Sequence, residues 1–255
     1  MDDPARSPVR LTVLGCGDAF GSGGRLQTCF HLRTPGHVFL VDCGTTACIG
    51  MKRFAIDAAT VDAILISHFH ADHFAGIPFL LLEARIAGRS APLTIAGPPG
   101  VEERIMAAAR VLFPGSKPEL PFDLRFVDYR ADGPTPVGPL EVAAFPVIHS
   151  PETLPHALRI GLDHHVIAFS GDTEWTPALT TIARGADLLI CECSGFDAPL
   201  PIHLDYATLL LQRPGLDCRR LLLTHMGPGV LANAGSVAEA LAATPADDGM
   251  VIDLG

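Results

Sequence analysis

The segment His68-Phe69-His70-Ala71-Asp72-His73 places three imidazoles and a carboxylate within six residues, directly after the apolar run 63–66 and Ser67. Imidazole nitrogen and carboxylate oxygen are the usual ligands of zinc and similar divalent ions, and four of them on a tight turn can face two ions at once. His68 and His70 suit one ion; Asp72 and His73 suit the other. With 11 histidines in 255 residues, composition alone gives H-x-H-x-D-H in roughly one chain in a thousand. A solvated polar loop capped by Asp72 is therefore the weaker explanation.

Two side chains do not complete a metal site, so the next candidates are histidines and aspartates at the ends of other apolar runs. Three stand there. His149 follows 142–148, Asp172 follows 166–169 by way of Ser170-Gly171, and His225 follows 221–223 and Thr224. Each alone reads as a loop, cap or turn residue. Beside the hexapeptide they read as the missing ligands.

The elements that must position these residues are short apolar runs bounded by Gly, Pro and Asp. They lie at 10–14, 29–32, 38–41, 63–66, 92–96, 122–127, 140–148, 157–160, 166–169, 188–190, 221–223 and 250–252. Their length and branched residues predict strands. Helical signals cover 74–87, 101–111, 177–183, 206–212 and 236–242, with Asp205 as the N-cap of 206–212 and Pro214-Gly215 as its stop. Strands dominate the first third and alternate with helices later, which predicts two packed sheets with helices outside. The turn-rich stretch 134–139 is expected to join two halves of one domain.

In order and type, the seven candidate ligands resemble the pattern of the metallo-β-lactamase superfamily, H-x-H-x-D-H followed by His, Asp and His. The likeness extends from Thr12-Val13-Leu14-Gly15-Cys16-Gly17-Asp18 and Val41-Asp42-Cys43-Gly44 to Leu223-Thr224-His225. It implies an α/β chain folded as a four-layer αββα sandwich, one domain over 1–255 with 1–8 as a loose tail. It also implies a two-metal site at one edge: His68, His70 and His149 on one ion, Asp72, His73 and His225 on the second, and Asp172 bridging. Zinc is the expected ion, and manganese or iron suits the same ligands. Water shared by ions about 3.5 to 4 Å apart loses a proton near neutral pH, so hydrolysis is the implied chemistry. Asp72 can also orient or deprotonate that water.

His203, in Pro201-Ile202-His203-Leu204-Asp205-Tyr206, is left over once the ligands are assigned. An imidazole outside the metal shell can protonate a leaving alkoxide, which a phosphodiester needs and a strained lactam needs less. Its placement resembles the extra histidine of the ribonuclease Z and cyclic phosphodiesterase branch, where a glutamate at a strand end orients it. Glu192, in Ile190-Cys191-Glu192-Cys193-Ser194, matches that position, and such a carboxylate favours imidazolium. The catalytic set is thus Asp72, His203 and Glu192. Relatives in this branch often dimerise, so a homodimer is compatible with the resemblance.

Ribonuclease Z carries a protruding tRNA-holding arm between the third histidine and the bridging aspartate. Here His149 and Asp172 are 23 positions apart, and two strand-like segments fill the interval. A small or cyclic phosphodiester is accordingly the expected substrate. The cysteine-rich zinc site of the cyclic phosphodiesterase of carbon-phosphorus lyase pathways is not reproduced by Cys16 and Cys29. Three other readings stay open: a lactone, lactam or thioester hydrolase with a structural His203, a tRNA 3′-processing endonuclease without the arm, and a noncatalytic metal-stabilised binding protein.

Composition narrows the classes further. Forty-eight per cent apolar and 18 % charged residues exclude disorder, and 18 Lys+Arg against 28 Asp+Glu, a formal charge of −10, disfavour nonspecific nucleic-acid binding. Apolar runs such as 77–82 and 142–148 fall short of the ~18 residues of a membrane span. The start Met1-Asp2-Asp3-Pro4 lacks a signal peptide's basic and apolar regions. Seven cysteines, an odd number, read as reduced thiols. A soluble, cytoplasmic protein without membrane contact is expected.

Five further features carry no predicted chemistry. The glycine-rich stretch 15–24 can offer N–H groups to an anion but lacks the Lys-Ser/Thr ending of a nucleotide loop, so it reads as a tight rim loop. Cys191 and Cys193 read as core, Tyr206 as core or pocket lining, His164-His165 as a hairpin turn, and His31, His37 and His156 as strand or turn residues.

Overall fold

The computed structural model describes residues 8–115, 119–198 and 200–254; all but Pro8 of the tail expected at 1–8 lies outside them. The first half of the chain forms β1 (Val9–Gly15), β2 (Cys29–Arg33), β3 (Val38–Val41), α1 (Ala47–Arg53), β4 (Ala63–Leu65), α2 (Ala71–Phe74), α3 (Ile77–Ile86), β5 (Leu93–Gly97), α4 (Val101–Leu112) and β6 (Leu124–Asp128). The second half forms β7 (Thr135–Val137), β8 (Leu140–Pro146), β9 (His156–Leu162), β10 (His165–Phe169), α5 (Pro177–Ala183), β11 (Leu188–Glu192), α6 (Tyr206–Gln212), β12 (Leu221–Thr224), α7 (Pro228–Ala232), α8 (Ala234–Leu241), β13 (Thr244–Pro245) and β14 (Val251–Leu254).

Among the described residues the strands form two seven-stranded sheets, ordered β14-β1-β2-β3-β4-β5-β6 and β13-β12-β11-β10-β9-β8-β7. Alternation along each strand decides what each face buries. Phe30, Phe39 and Val41 of the first sheet meet Leu158, Ile160, Ile190 and Leu222 of the second, with Phe30 edge-on to Phe169 at 5.6 Å. On the outer face of the first sheet, Leu40, Ile64 and Ile95 pack on Ile77, Leu80 and Ile105 of α3 and α4. On that of the second, Leu189, Cys191 and Leu223 pack on Leu179, Leu209 and Val237 of α5, α6 and α8. Both faces of each sheet are covered, which is why the runs are apolar nearly throughout. The result is the expected four-layer αββα sandwich.

Strand direction gathers the site. β3 and β4 are parallel, and so are β10, β11 and β12; β8 runs parallel to β10 because each pairs antiparallel with β9. The C-terminal ends of β3, β4, β8, β10, β11 and β12 therefore open on one rim.

The helix predicted at 74–87 is α3, which begins only at Ile77, and a separate short helix, α2, precedes it at Ala71–Phe74, parted from it by Ala75-Gly76. Periodicity misses the break because its cause is remote: Gly76 N–H donates to Cys43 O at 2.9 Å, and a Cβ at Gly76 would lie 2.0 Å from Gly44 O. The short first piece, α2, carries Asp72 and His73. α1 escapes prediction because Gly50 weakens its helical signal, yet a Cβ there would lie 2.7 Å from Leu14 O. The stretch read as a linker at 134–139 contains β7, an edge strand that tolerates Pro136, turning at Gly138 (φ 59°). It lies where the chain passes from the first sheet to the second. α7 and β13 were also not predicted, being only five and two residues long.

Candidate metal centre

The loop after β4 is tied to the loop after β3. Ser67 donates to the buried Asp42 carboxylate from its N–H and from its hydroxyl, both at 2.7 Å. With its proton so used, Ser67 Oγ accepts the Nδ1–H of His68 at 3.0 Å. His73 Nδ1 donates to Asp42 Oδ2 at 2.7 Å, and His149 Nδ1 to the carbonyl of Ile202 at 2.7 Å. His225 Nδ1 meets Ser194 Oγ at 3.0 Å. In these four histidines the outer nitrogen is engaged in a hydrogen bond, so Nε2 points inward, as in a metal ligand oriented from behind.

The inward atoms form two clusters that share Asp172, and within each cluster they lie within 4.8 Å of one another. The first joins His68, His70, His149 and Asp172; His70 Nδ1 is 3.3 Å from His68 Nε2 and 3.0 Å from His149 Nε2. The second joins Asp72, His73, Asp172 and His225. There His225 Nε2 is 3.3 Å from both carboxylates, and His73 Nε2 is 3.2 Å from Asp172 and 3.3 Å from Asp72. All seven sequence-predicted ligands are thus brought to one place.

These residues fit divalent cations on their own geometry. His73 Nε2 is buried without a hydrogen-bond partner, although two carboxylates lie beside it. One nitrogen and two carboxylates converging in a buried place need a positive charge among them, which a divalent cation supplies in place of the ring proton. In the first cluster His70 Nδ1 lies 3.0 to 3.3 Å from two other inward nitrogens; one proton on it serves these contacts only in part, whereas a shared cation accepts all three lone pairs. Nitrogen-rich ligands with one or two carboxylates suit zinc and its neighbours.

Charge divides the clusters. Burial lowers the proton affinity of His68, His70 and His149, and neighbouring imidazoles lower it further at His68 and His70. Burial opposes protonation of His73 and His225 too, but Asp172 and Asp72 outweigh it, raising His73 well above the usual range and His225 to about 9. The same pairing holds Asp172 well below the ordinary carboxylate range against the effect of burial. Burial dominates at Asp42, which is raised despite the bonds from His73 and Ser67.

His203 stands over both clusters. Its ring stacks on His225 (centroids 5.3 Å, 18°) and meets His149 edge-on at 4.8 Å. Its Nδ1 lies 3.2 Å from each oxygen of Glu192, which is fully buried at the end of β11 and also accepts from Thr173 N–H. Burial lowers the proton affinity of His203, but the Glu192 hydrogen bond and charge reverse this and raise it. His203 remains partly open, its side chain 17 % exposed.

Sequence reasoning missed the residues behind the ligands. Asp42 sits just past an apolar run, the same signal that marked Asp172. Ser67 and Ser194 have no signal of their own, because Asp42 and His225, which they bond, come from other loops. The rim loop 15–24 does not cradle an anion: the Asp18 carboxylate takes the N–H groups of Phe20 and Ser22 at 3.1 and 2.8 Å. Cys191 and Cys193 are core residues, and half-buried Tyr206 stacks on Phe196 at 5.5 Å. His31, His37, His156, His164 and His165 belong to neither cluster. An apolar cavity of about 490 Å³ lined by Leu81, Met106 and Phe113 lies between α3 and α4 and contains none of the clustered residues. Convergent ligands, not cavity size, therefore locate the site.

An αββα sandwich with paired His/Asp clusters at its strand ends defines the metallo-β-lactamase fold class. The chain belongs to the β-lactamase superfamily: the family pattern described as "Beta-lactamase superfamily domain" matches residues 37–226. It is similar to ribonuclease Z of Clostridium acetobutylicum, 33 % identical over 152 residues that cover 59 % of this chain and 49 % of that protein. The matched region thus spans about half the length of that relative. Ribonuclease Z of Lachnospira eligens is 26 % identical over 300 aligned positions, covering 96 % of this chain and 97 % of the relative. Among solved structures, a metallo-beta-lactamase fold protein from Bacillus subtilis superposes with a TM-score of 0.81 at 22 % identity, covering 98 % of this chain and 100 % of its own. A diphosphatase of the PhnP family superposes with a TM-score of 0.77 at 21 % identity, covering 97 % and 98 %.

Proposed function

We propose that the protein is a binuclear metal-dependent hydrolase that cleaves a small or cyclic phosphodiester, with zinc as the ion. His68, His70, His149 and Asp172 hold one cation, and Asp72, His73, His225 and Asp172 hold the other. Bound there, the pair supplies Lewis acidity and an activated water at neutral pH. The chain's residues do the rest. Asp72 accepts a hydrogen bond that orients the attacking water. As the water oxygen bonds to phosphorus and the ester P–O bond breaks, His203 Nε2 gives its proton to the leaving oxygen. The proton lost by water replaces it through solvent, leaving a phosphomonoester and an alcohol. Glu192 holds His203 in the tautomer and orientation this needs.

The observation that carries the reading is the approach of His203 Nδ1 to both oxygens of Glu192 at 3.2 Å, over the ligand rings. A positioned acid serves a poor alkoxide leaving group, whereas a strained lactam or a thioester leaves without one. A small substrate is favoured because the β9–β10 hairpin, turning at Asp163-His164, fills the interval between His149 and Asp172 where an arm would protrude. The 300 positions aligned to the Lachnospira ribonuclease Z exceed the 255 residues of this chain, so that relative carries segments this chain lacks. The name ribonuclease Z carried by the sequence relatives supports RNA, with tRNA as the second reading. The seven free thiols support a reducing, cytoplasmic setting; among the described residues no helix is long and apolar enough to cross a membrane.

The test is a substrate panel on metal-loaded protein: bis(p-nitrophenyl) phosphate, 2′,3′-cyclic nucleotides, a pre-tRNA transcript, and lactones. Turnover of the first two with His203→Ala losing activity but not metal supports the reading. Turnover of lactones alone, or full activity after His203→Ala, contradicts it.

A further inference from the structure

We propose that Glu174 is a positioning residue that sets both the ligand His149 and the acid His203 through a single strained residue, Ile202; the assignment rests on His203 acting as the proton donor. Ile202 has φ 63°, in the left-handed region that a β-branched side chain strongly disfavours. Something must hold it there. Glu174 Oε1 accepts the Ile202 N–H at 2.9 Å. In that conformation the Ile202 carbonyl accepts Nδ1–H of His149 at 2.7 Å, fixing the tautomer that turns Nε2 inward. The next residue is His203, whose N–H donates to Leu200 O at 3.1 Å and whose ring is delivered to Glu192.

Glu174 is itself anchored to the strand end that carries His149. Its N–H donates to Ile148 O at 2.8 Å, and the neighbouring Thr173 Oγ1 accepts Ile148 N–H at 3.1 Å. Two residues before it stands Asp172, the carboxylate common to both clusters. One short segment after β10 therefore ties the shared ligand, the His149 loop and the His203 loop together. Without the Glu174 carboxylate, Ile202 is free to relax toward extended φ, which turns its carbonyl away from His149 and swings His203 off Glu192.

The test is a series of phosphodiesters with leaving groups from p-nitrophenol to simple alcohols, measured as kcat and KM on the fully metal-loaded enzyme. Loss of the acid costs most where the leaving group is poorest, a signature that general destabilisation does not produce. We expect His203→Ala and Glu174→Ala to show the same steepened dependence, with kcat down by ~10-fold or more on the poorest leaving group and by a smaller factor on p-nitrophenyl esters. Glu174→Gln keeps an oxygen acceptor and should retain the wild-type slope. Should Glu174→Ala alone fail to fold, the double variant with Ile202→Gly removes the strain and should recover most of the lost kcat. A steep series for His203→Ala with a uniform drop or no change for Glu174→Ala overturns the role of Glu174 alone. A flat series for His203→Ala overturns the acid itself and this assignment with it.

Discussion

Asp172 Oδ2 lies 3.2 Å from His73 Nε2, and the same oxygen is 3.3 Å from His225 and 3.8 Å from His68. One carboxylate thus faces both ligand clusters, and its removal should separate them. Asp172→Ala should bind at most one divalent ion per chain in place of two and lose activity by ~1,000-fold or more, since paired metals act on one reacting group. Metal analysis by mass spectrometry after chelation and reloading checks the count.

Asp42 touches no inward ligand atom, yet it holds His73 Nδ1 and both donors of Ser67. Asp42→Asn should keep the fold while weakening metal affinity at the second cluster by about 10 to 100-fold, the usual effect of losing an outer carboxylate partner. Competition with a chromophoric chelator measures it.

Metal uptake should release protons. His73 is raised well above the normal range and His225 to about 9, so near pH 7 both carry protons in the metal-free protein and must lose them to bind a cation. Affinity at the second cluster should therefore fall as pH is lowered from 9 toward 6. Calorimetric titrations in buffers of different ionisation enthalpy report the proton count; zero net release contradicts the protonated ground state.

Acid stability should depend on His31, buried in β2 and paired with neither cluster. Burial, with the nearby charge of Arg33, lowers it to about 4. The unfolded chain takes up a proton near pH 6.5 and the folded one only near 4, so the neutral form favours folding above 6.5 and that advantage is lost as pH falls through this window. The loss amounts to at most about 3 kcal/mol. Urea denaturation of His31→Leu should show a smaller drop in stability between pH 7 and 4.5 than wild type.

The candidate centre was legible because its densest part is local: four candidate ligands in six residues do not need a fold to be noticed. His149, Asp172 and His225 were legible because each follows an apolar run, and parallel strands deliver their C-terminal ends to one rim. The sandwich followed from the same runs. What escaped depends on contacts between loops. At the break, Gly76 N–H bonds Cys43 O of another loop, and Gly44 O fills the space a Cβ would need. Ser194 and the Ile202 carbonyl reach their histidines only once the chain is folded, and Ser67, although next to His68, is free to accept from that ring because the remote Asp42 takes its own proton. Ile202 in a left-handed conformation is invisible in sequence, where nothing marks a β-branched residue as strained.

The most direct test of the account is a crystal soaked or grown with zinc and examined by anomalous scattering at the zinc edge. It predicts two peaks per chain, about 3.5 to 4 Å apart, one among His68, His70 and His149, the other among Asp72, His73 and His225, with Asp172 touching both. No peak at saturating zinc, or ions held by other residues, would contradict it.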